Sequence, residues 1–307
     1  MKPPAFIHID LDGIWAVRKC YGLPEEDFFQ DDPVFSEGIP QVLEIFKKKG
    51  ITAGFFAVGK DLEVPEKANI LARAVQSGHE IGNHSYDHTI GITRLTTEQI
   101  NTNILKSKKA FDYIFSQHNL PGSEKPAGFR SPGYDADERL WNIIHKEGFS
   151  YDSSIFPTPW GFLMRFMESW VTKSPPWKKR QYGKISWGRK SLMPYRMKRH
   201  GNLVEIPVSV SPGLRLPFHF SIVQLRGFDY FRRCVDGYLD KRLPLLYLFH
   251  GVDFLETRNL DLMPGKRGDK FFKTPLKKKL KLADRILDYI DSNFNIMRAR
   301  DWVRSIK

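Results

Sequence analysis

The chain has 307 residues, 41% of them hydrophobic and 27% charged, with a formal charge of +13, a balance that suits a globular α/β barrel with a sizeable core and excludes a disordered or fibrous chain. No run of 18 apolar residues occurs and "MKPPAF" leads straight into the first strand, so neither a membrane span nor a signal peptide is read and a cytoplasmic location is expected. Cys20 and Cys234 are the only cysteines, too few and too far apart for a disulfide framework, which leaves two reduced thiols as the expectation.

The predicted elements alternate. A strand at 5–10 within "FIHIDLDG" precedes a helix that opens near Pro40 and closes on Gly50, then an apolar strand "ITAGFFAVG" at 51–59. A helix at 65–77 leads to the short strand "HEIGN" at 79–83. Thr96 and Gln99 form a Thr-x-x-Gln capping box at the start of a long amphipathic helix running to Gln117. A strand at 127–130, a helix at 137–147 and a strand within "FSYDSS" follow. Beyond a basic segment come "NLVEIPVSV" (202–210), a helix at 227–240, the strand "LPLLYLFH" (243–250), a helix that starts at Thr274-Pro275, and a last strand and short helix in "FNIMRARDWV". This alternation, without a repeat period, predicts one α/β domain over 1–307, a distorted barrel of about seven parallel strands closed on itself with helices outside, interrupted only by an insertion at 157–201.

In such barrels ligands sit at the carboxyl ends of strands. The polar oddities of the sequence collect there. Asp10 and Asp12 follow the first strand; residues two apart in a strand point the same way, and two carboxylates that close resist ionisation unless a cation lies beside them. The bland alternative is that Asp12 caps a turn through Gly13. His84 and His88 in "NHSYDH" stand four apart, which on a helical turn places two imidazoles on one face, a spacing suited to zinc, although a surface pair would look the same. Arg130 ends a strand in "GFRSPGY", where a buried guanidinium needs an anion, and Asp10 and Asp152 are the acids at neighbouring strand ends. Pro132 and Gly133 shape a turn able to aim a backbone N–H at an oxyanion. His250 closes an apolar strand as either a satisfied core histidine or a general acid facing the cavity.

Taken in order, "HIDLDG", "GITAGFFAVG", "SGHEIGNHSYDH", "GFRSPGY", "YDSS" and "LFHG" resemble the polysaccharide deacetylase family, the carbohydrate esterases with the chitooligosaccharide deacetylase homology domain. The piece "GHEIGNHSYDH" carries the resemblance furthest. It implies that Asp12, His84 and His88 bind a divalent metal, zinc foremost with cobalt, nickel or manganese as alternatives, and that Asp10 is the general base. It further implies that Arg130 orients Asp10, Asp152 braces Arg130, His250 is the acid, and the Tyr134 backbone N–H helps hold the oxyanion. The family's first motif usually has adjacent aspartates, whereas Leu11 intervenes here. That Asp-x-Asp form is similar to a subgroup with certain peptidoglycan deacetylases and the deformylase of a lipid-linked formamido-arabinose. The implied reaction is removal of an N-acyl group, acetyl or formyl, from an amino sugar.

The insertion is unlike the rest. Residues 161–200 hold eleven Lys and Arg (Arg165, Lys173, Lys178, Lys179, Arg180, Lys184, Arg189, Lys190, Arg196, Lys198, Arg199) against one acid, Glu168. Four of the seven tryptophans, Trp160, Trp170, Trp177 and Trp187, lie in or beside them. Phe162, Leu163, Phe166, Met167 and Trp170 recur at helical spacing with Arg165, Glu168 and Ser169 opposite, the pattern of an interfacial helix on anionic lipid. An alternative packs that face on the barrel and leaves the basic run solvated; nucleic-acid binding ranks last, since no nucleic-acid module accompanies the patch. The partners expected are therefore an N-acylated sugar, polyprenyl-phosphate-linked in the fullest form of the reading, and an anionic membrane surface met through 160–199. Two other functions stay open: a soluble amidohydrolase on a small cyclic amide, as in allantoinase-like relatives, and a non-enzymatic phosphate- or membrane-binding protein.

Overall fold

"PAFIHIDL" forms β1 (Pro4–Leu11), and its alternation sorts the whole molecule. In the computed structural model, which describes residues 2–20, 28–172, 181–256 and 274–306, Ala5, Ile7, Ile9 and Leu11 pack outward against the helices. Phe6 packs inward with Phe56, Tyr151, Leu246 and Leu248, so His8 and Asp10, two and four residues on, continue up the inner side. The remaining strands are β2 (Gly54–Ala57), β3 (Glu80–Asn83), β4 (Gly128–Phe129), β5 (Tyr151–Asp152), β6 (Tyr195–Met197), β7 (Leu203–Glu205), β8 (Leu245–His250) and β9 (Asn295–Ile296). They form one sheet in the order β6-β7-β5-β4-β3-β2-β1-β8, with β9 also on β1. All pairs are parallel except β6 with β7. The inner space is narrow: a side chain at Gly82 would meet the Phe56 ring at 2.6 Å, so only hydrogen fits there.

The expected helices are present, and two more that the sequence pattern did not place, Ile14–Cys20 and Phe220–Arg226, join them. α1 (Ile14–Cys20) follows β1, α2 (Ile39–Lys49) ends on Gly50 at φ 64°, and α3 (Pro65–Gln76) precedes β3. α4 (Thr97–Gln117) starts on the capping box that Thr96 and Gln99 make. α5 (Glu138–Lys146) starts on Asp137, whose carboxylate accepts the Arg139 and Leu140 N–H groups. Within the insertion lies α6 (Gly161–Thr172), and α7 (Phe220–Arg226) and α8 (Phe228–Asp240) precede β8. Helices Leu276–Asn293 and Ala299–Ser305 close the chain.

Three expectations change. The distorted parallel barrel is present but open: among the described residues its curled sheet has no strand pairing between β7 and β8. "NLVEIPVSV" is strand only at Leu203–Glu205, because Pro207 has no N–H for a ladder; beyond it Ser209 reaches across to β8, its N–H donating to the Leu246 carbonyl at 3.4 Å and its hydroxyl accepting the Leu246 N–H at 2.9 Å. The insertion contributes an edge strand, β6, that the sequence did not reveal. α7 was also unforeseen. Of the basic and aromatic residues singled out in the insertion, Lys173, Trp177, Lys178, Lys179 and Arg180 lie outside the described residues, as do the side chains of Glu168 and Trp170. Cys20 and Cys234 are both free thiols, and among the described residues no helix is long and apolar enough to cross a membrane.

Candidate active site

Asp12, His84 and His88 meet although 76 positions separate the first from the last, each offering an atom within 4.8 Å of the others. Asp12 Oδ1 lies 3.3 Å from His84 Nε2 and 3.1 Å from His88 Nε2. The two histidines are not on a helical turn, as their spacing suggested. Residues 84–88 are an irregular loop with Ser85 at φ 66° and His88 at φ 53°, held by side chains: Asn83 Oδ1 accepts the Ser85 N–H at 2.9 Å, Asn103 Oδ1 accepts the Tyr86 N–H at 2.9 Å, and Asn103 Nδ2 donates to Asp87 at 2.8 Å.

His84 Nδ1–H donates to the Arg130 carbonyl at 2.8 Å, which leaves the Nε2 lone pair facing Asp12. His88 Nδ1 lies 3.8 Å from Cys20 Sγ. Burial alone would raise the Asp12 carboxyl, but His88 and His84 hold it well below the usual carboxylate range; burial likewise opposes the charge on His88, and Asp12 carries it well above an ordinary imidazole. Asp12 Oδ1 is buried without a hydrogen-bond partner. Two nitrogen lone pairs and a carboxylate oxygen converging on one point is the donor set of a divalent cation, and these residues fit one.

The loop bearing Asp12 is fixed from below. Asp32 accepts the Ile14 N–H at 2.9 Å and the Val34 N–H at 3.0 Å. Its partner Lys67, buried, lies 3.5 Å away and 2.5 Å from Asp61, which also accepts the Trp15 indole N–H. Burial pushes Asp32 up to about 6 and raises Asp61, with Lys67 opposing both.

Beside the cluster, Arg130 is fully buried. Its Nη1 donates to Asp10 Oδ1 at 2.5 Å, Nη2 to His8 Nδ1 and Ser153 Oγ, each at 2.8 Å, and Nε to the Ser153 carbonyl at 3.0 Å. Asp152 was expected to brace Arg130 and does not. Strand alternation turns it to the opposite face from Ser153, where it accepts from Trp141 Nε1 at 2.8 Å and Ser154 Oγ at 2.6 Å. Its action is one step removed, since Ser154 Oγ accepts the Ser131 N–H at 2.9 Å beside Arg130. Burial raises Asp152, and raises its register partner Glu205 well above the usual range, with Asp152 adding to the effect on Glu205.

The Tyr134 N–H, expected to face an oxyanion, donates to the Ser131 carbonyl at 3.0 Å. Gly133 at φ 65° and Tyr134 at φ 59° wind the turn tightly enough to close that bond. His250 stands opposite Asp10 in the register of β8 with β1. Its N–H donates to Asp253 Oδ2 at 2.8 Å, and its ring Nδ1 lies 3.8 Å from the same oxygen. Burial disfavours the charged ring, but Asp253 outweighs burial and lifts His250 to about 9. α7 supports this arrangement: Ser221 Oγ donates to Asp253 at 2.9 Å, and the His219 ring stands 5.5 Å from His250.

His8, Ser153 and Asp253 are the residues that sequence reasoning missed. His8 was recoverable, since it shares the inner face of β1 with Asp10. Asp253, three residues after His250, carried the spacing of a histidine and its carboxylate. Ser153 had no distinguishing signal.

Residues 28–151 match the family model described as polysaccharide deacetylase, a span that includes His84, His88, Arg130 and Tyr134 but not Asp10, Asp12 or His250. The chain is 28% identical over 167 residues to a peptidoglycan deacetylase of Helicobacter pylori, covering 53% of this chain and 53% of that protein; it thus spans about half the length of that curated relative. Its fold is shared by a Mycobacterium smegmatis structure provisionally named a polysaccharide deacetylase, with a TM-score of 0.63 and 13% identity over 99% of this chain and 90% of that one. PuuE allantoinase shares it too, with a TM-score of 0.62 and 15% identity over 98% and 89%. Through residues 28–151 the chain is thus similar to the polysaccharide deacetylase family.

Proposed function

We propose that the protein is a metal-dependent hydrolase that removes an N-acetyl or N-formyl group from an amino sugar of a cell-envelope glycan or its polyprenyl-phosphate-linked precursor. The observation that carries this reading is the convergence of Asp12, His84 and His88 beside an Asp10 held by buried Arg130 and faced by His250. Asp12, His84 and His88 would hold a divalent ion. Such an ion supplies a polarising charge that acidifies water and draws on an amide oxygen.

The protein's own groups do the rest. Asp10, fixed by Arg130, takes the proton from the attacking water. His250, protonated at neutral pH by virtue of Asp253, gives a proton to the departing amine. Ser131 and Ser154 keep the Arg130 turn in place. The turn at Tyr134 would have to share its N–H between Ser131 and an oxyanion. The lipid-linked form of the substrate is supported by the basic insertion, which is fastened to the rim of the site where the Tyr182 N–H donates to the Gly133 carbonyl at 2.7 Å; this implies peripheral attachment at a membrane.

The direct test is acetate and formate release from chitooligomers and polyprenyl-phosphate amino sugars. Release that needs zinc and stops with chelator is expected; hydrolysis of allantoin but of no sugar amide would move the assignment to the cyclic-amide reading.

The acid's charge gives the pH dependence. His250 must carry its proton, so activity falls as pH rises through about 9. Asp253→Asn removes the group that raises His250, and the alkaline limb of kcat against pH then moves to lower pH by about one to three units. A limb that stays in place shows that His250 is not the acid.

A further inference from the structure

α6 is turned inside out. An amphipathic helix on a barrel normally buries its apolar stripe, yet here Phe162, Leu163 and Met167 are 53%, 49% and 51% exposed. The side with the cation faces in: Gly161 packs against Tyr182, Met164 packs on the inner cluster, and Arg165 Nη1 donates to the carbonyls of Gln181 at 2.6 Å and Gly183 at 3.1 Å. The apolar surface continues past the helix. Trp160 Nε1 donates to the Leu214 carbonyl at 2.7 Å, and Leu214 is 70% exposed. Exposed cations flank it on the same loops: Lys184 adjoins the carbonyls that Arg165 holds, and exposed Lys190 accepts Arg215 Nη1 on its carbonyl at 2.7 Å, beside exposed Arg189.

We infer that the outer face of α6, continued by Trp160 and Leu214 and rimmed by Lys184, Arg189 and Lys190, docks on an anionic bilayer surface and so sets the mouth of the site against the membrane. The inference rests on the lipid-linked form of the function proposed above. The occupant follows from the chemistry: an apolar stripe with an indole beside it suits the acyl and headgroup boundary, and a rim of cations around it suits anionic headgroups. A protein groove would need acids to match that rim, and a second copy of this chain would bring cations to cations.

The test uses the full chain and sedimentation with phosphatidylcholine vesicles, with and without about 30% phosphatidylglycerol. Binding is expected only with phosphatidylglycerol and weakens as salt rises. The triple variant Phe162→Ser, Leu163→Ser, Met167→Ser lowers vesicle affinity at least about tenfold, as does Lys184→Gln, Arg189→Gln, Lys190→Gln. Both variants keep wild-type acetate release from a soluble chitooligomer, which shows that they fold. Absence of vesicle binding in the wild type, or binding unchanged in the apolar triple, overturns the inference. A concentration-dependent dimer that the apolar triple abolishes, without vesicle binding, overturns it in favour of a second copy. Vesicle binding that follows the expected pattern while no sugar amide is cleaved upholds the surface and removes the proposed activity instead.

Discussion

Asp10→Asn will lower kcat by about 10²- to 10⁴-fold and leave the divalent ion in place. The amide keeps the shape of the carboxylate and still accepts from Arg130, but it cannot take a proton from water. Asp12, His84 and His88 are untouched, so metal loading should match the wild type. The substitution also leaves a buried guanidinium without its counter-charge, and Arg130 has no exposure to water through which to recover it. A stability loss of about 3–5 kcal/mol is therefore expected alongside the loss of turnover. Circular dichroism at the assay temperature separates the two effects. A variant that is folded, loaded and as fast as wild type would show that Asp10 serves Arg130 alone.

Asp12→Ala and His84→Ala will have the opposite signature: the protein folds, loses its divalent ion and loses acyl release by about 10³-fold or more. A polarising ion provides several kcal/mol of transition-state stabilisation, and each 1.4 kcal/mol or so is tenfold in rate. Of the two, His84→Ala should disturb the neighbourhood more, since the Arg130 carbonyl then loses the ring N–H it accepts. Release that survives in both variants would detach the chemistry from this cluster.

Much of this centre was legible because strands have period two and barrel sites sit at strand ends. β1 shows why: once its core face is Ala5, Ile7, Ile9 and Leu11, the placement of His8 and Asp10 inside the barrel follows. The same rule, applied to β5, would have separated Asp152 from Ser153 and given Arg130 its true neighbour. Spacing alone was weaker. His84 and His88 are four apart and do meet, but in a loop whose shape depends on Asn83 and on Asn103, a residue of the next helix, α4. Tertiary contacts of that kind leave no local pattern. Closure of the barrel was expected from the alternation of strands and helices, which does not register that Pro207 ends the ladder of β7 early. In α6 both the periodicity and the preferred outward direction of Phe162, Leu163 and Met167 agree with the sequence reading, and what decides that direction is what Gly161 and Arg165 find beneath them.

The central claim is that Asp12, His84 and His88 form one divalent-metal centre, and metal content measured on the full chain tests it most directly. After zinc addition and dialysis, one tightly held ion per chain is expected in the wild type and in Asp10→Asn, and none in Asp12→Ala or His84→Ala. Loading that is absent from the wild type, or unchanged by removing Asp12, contradicts it.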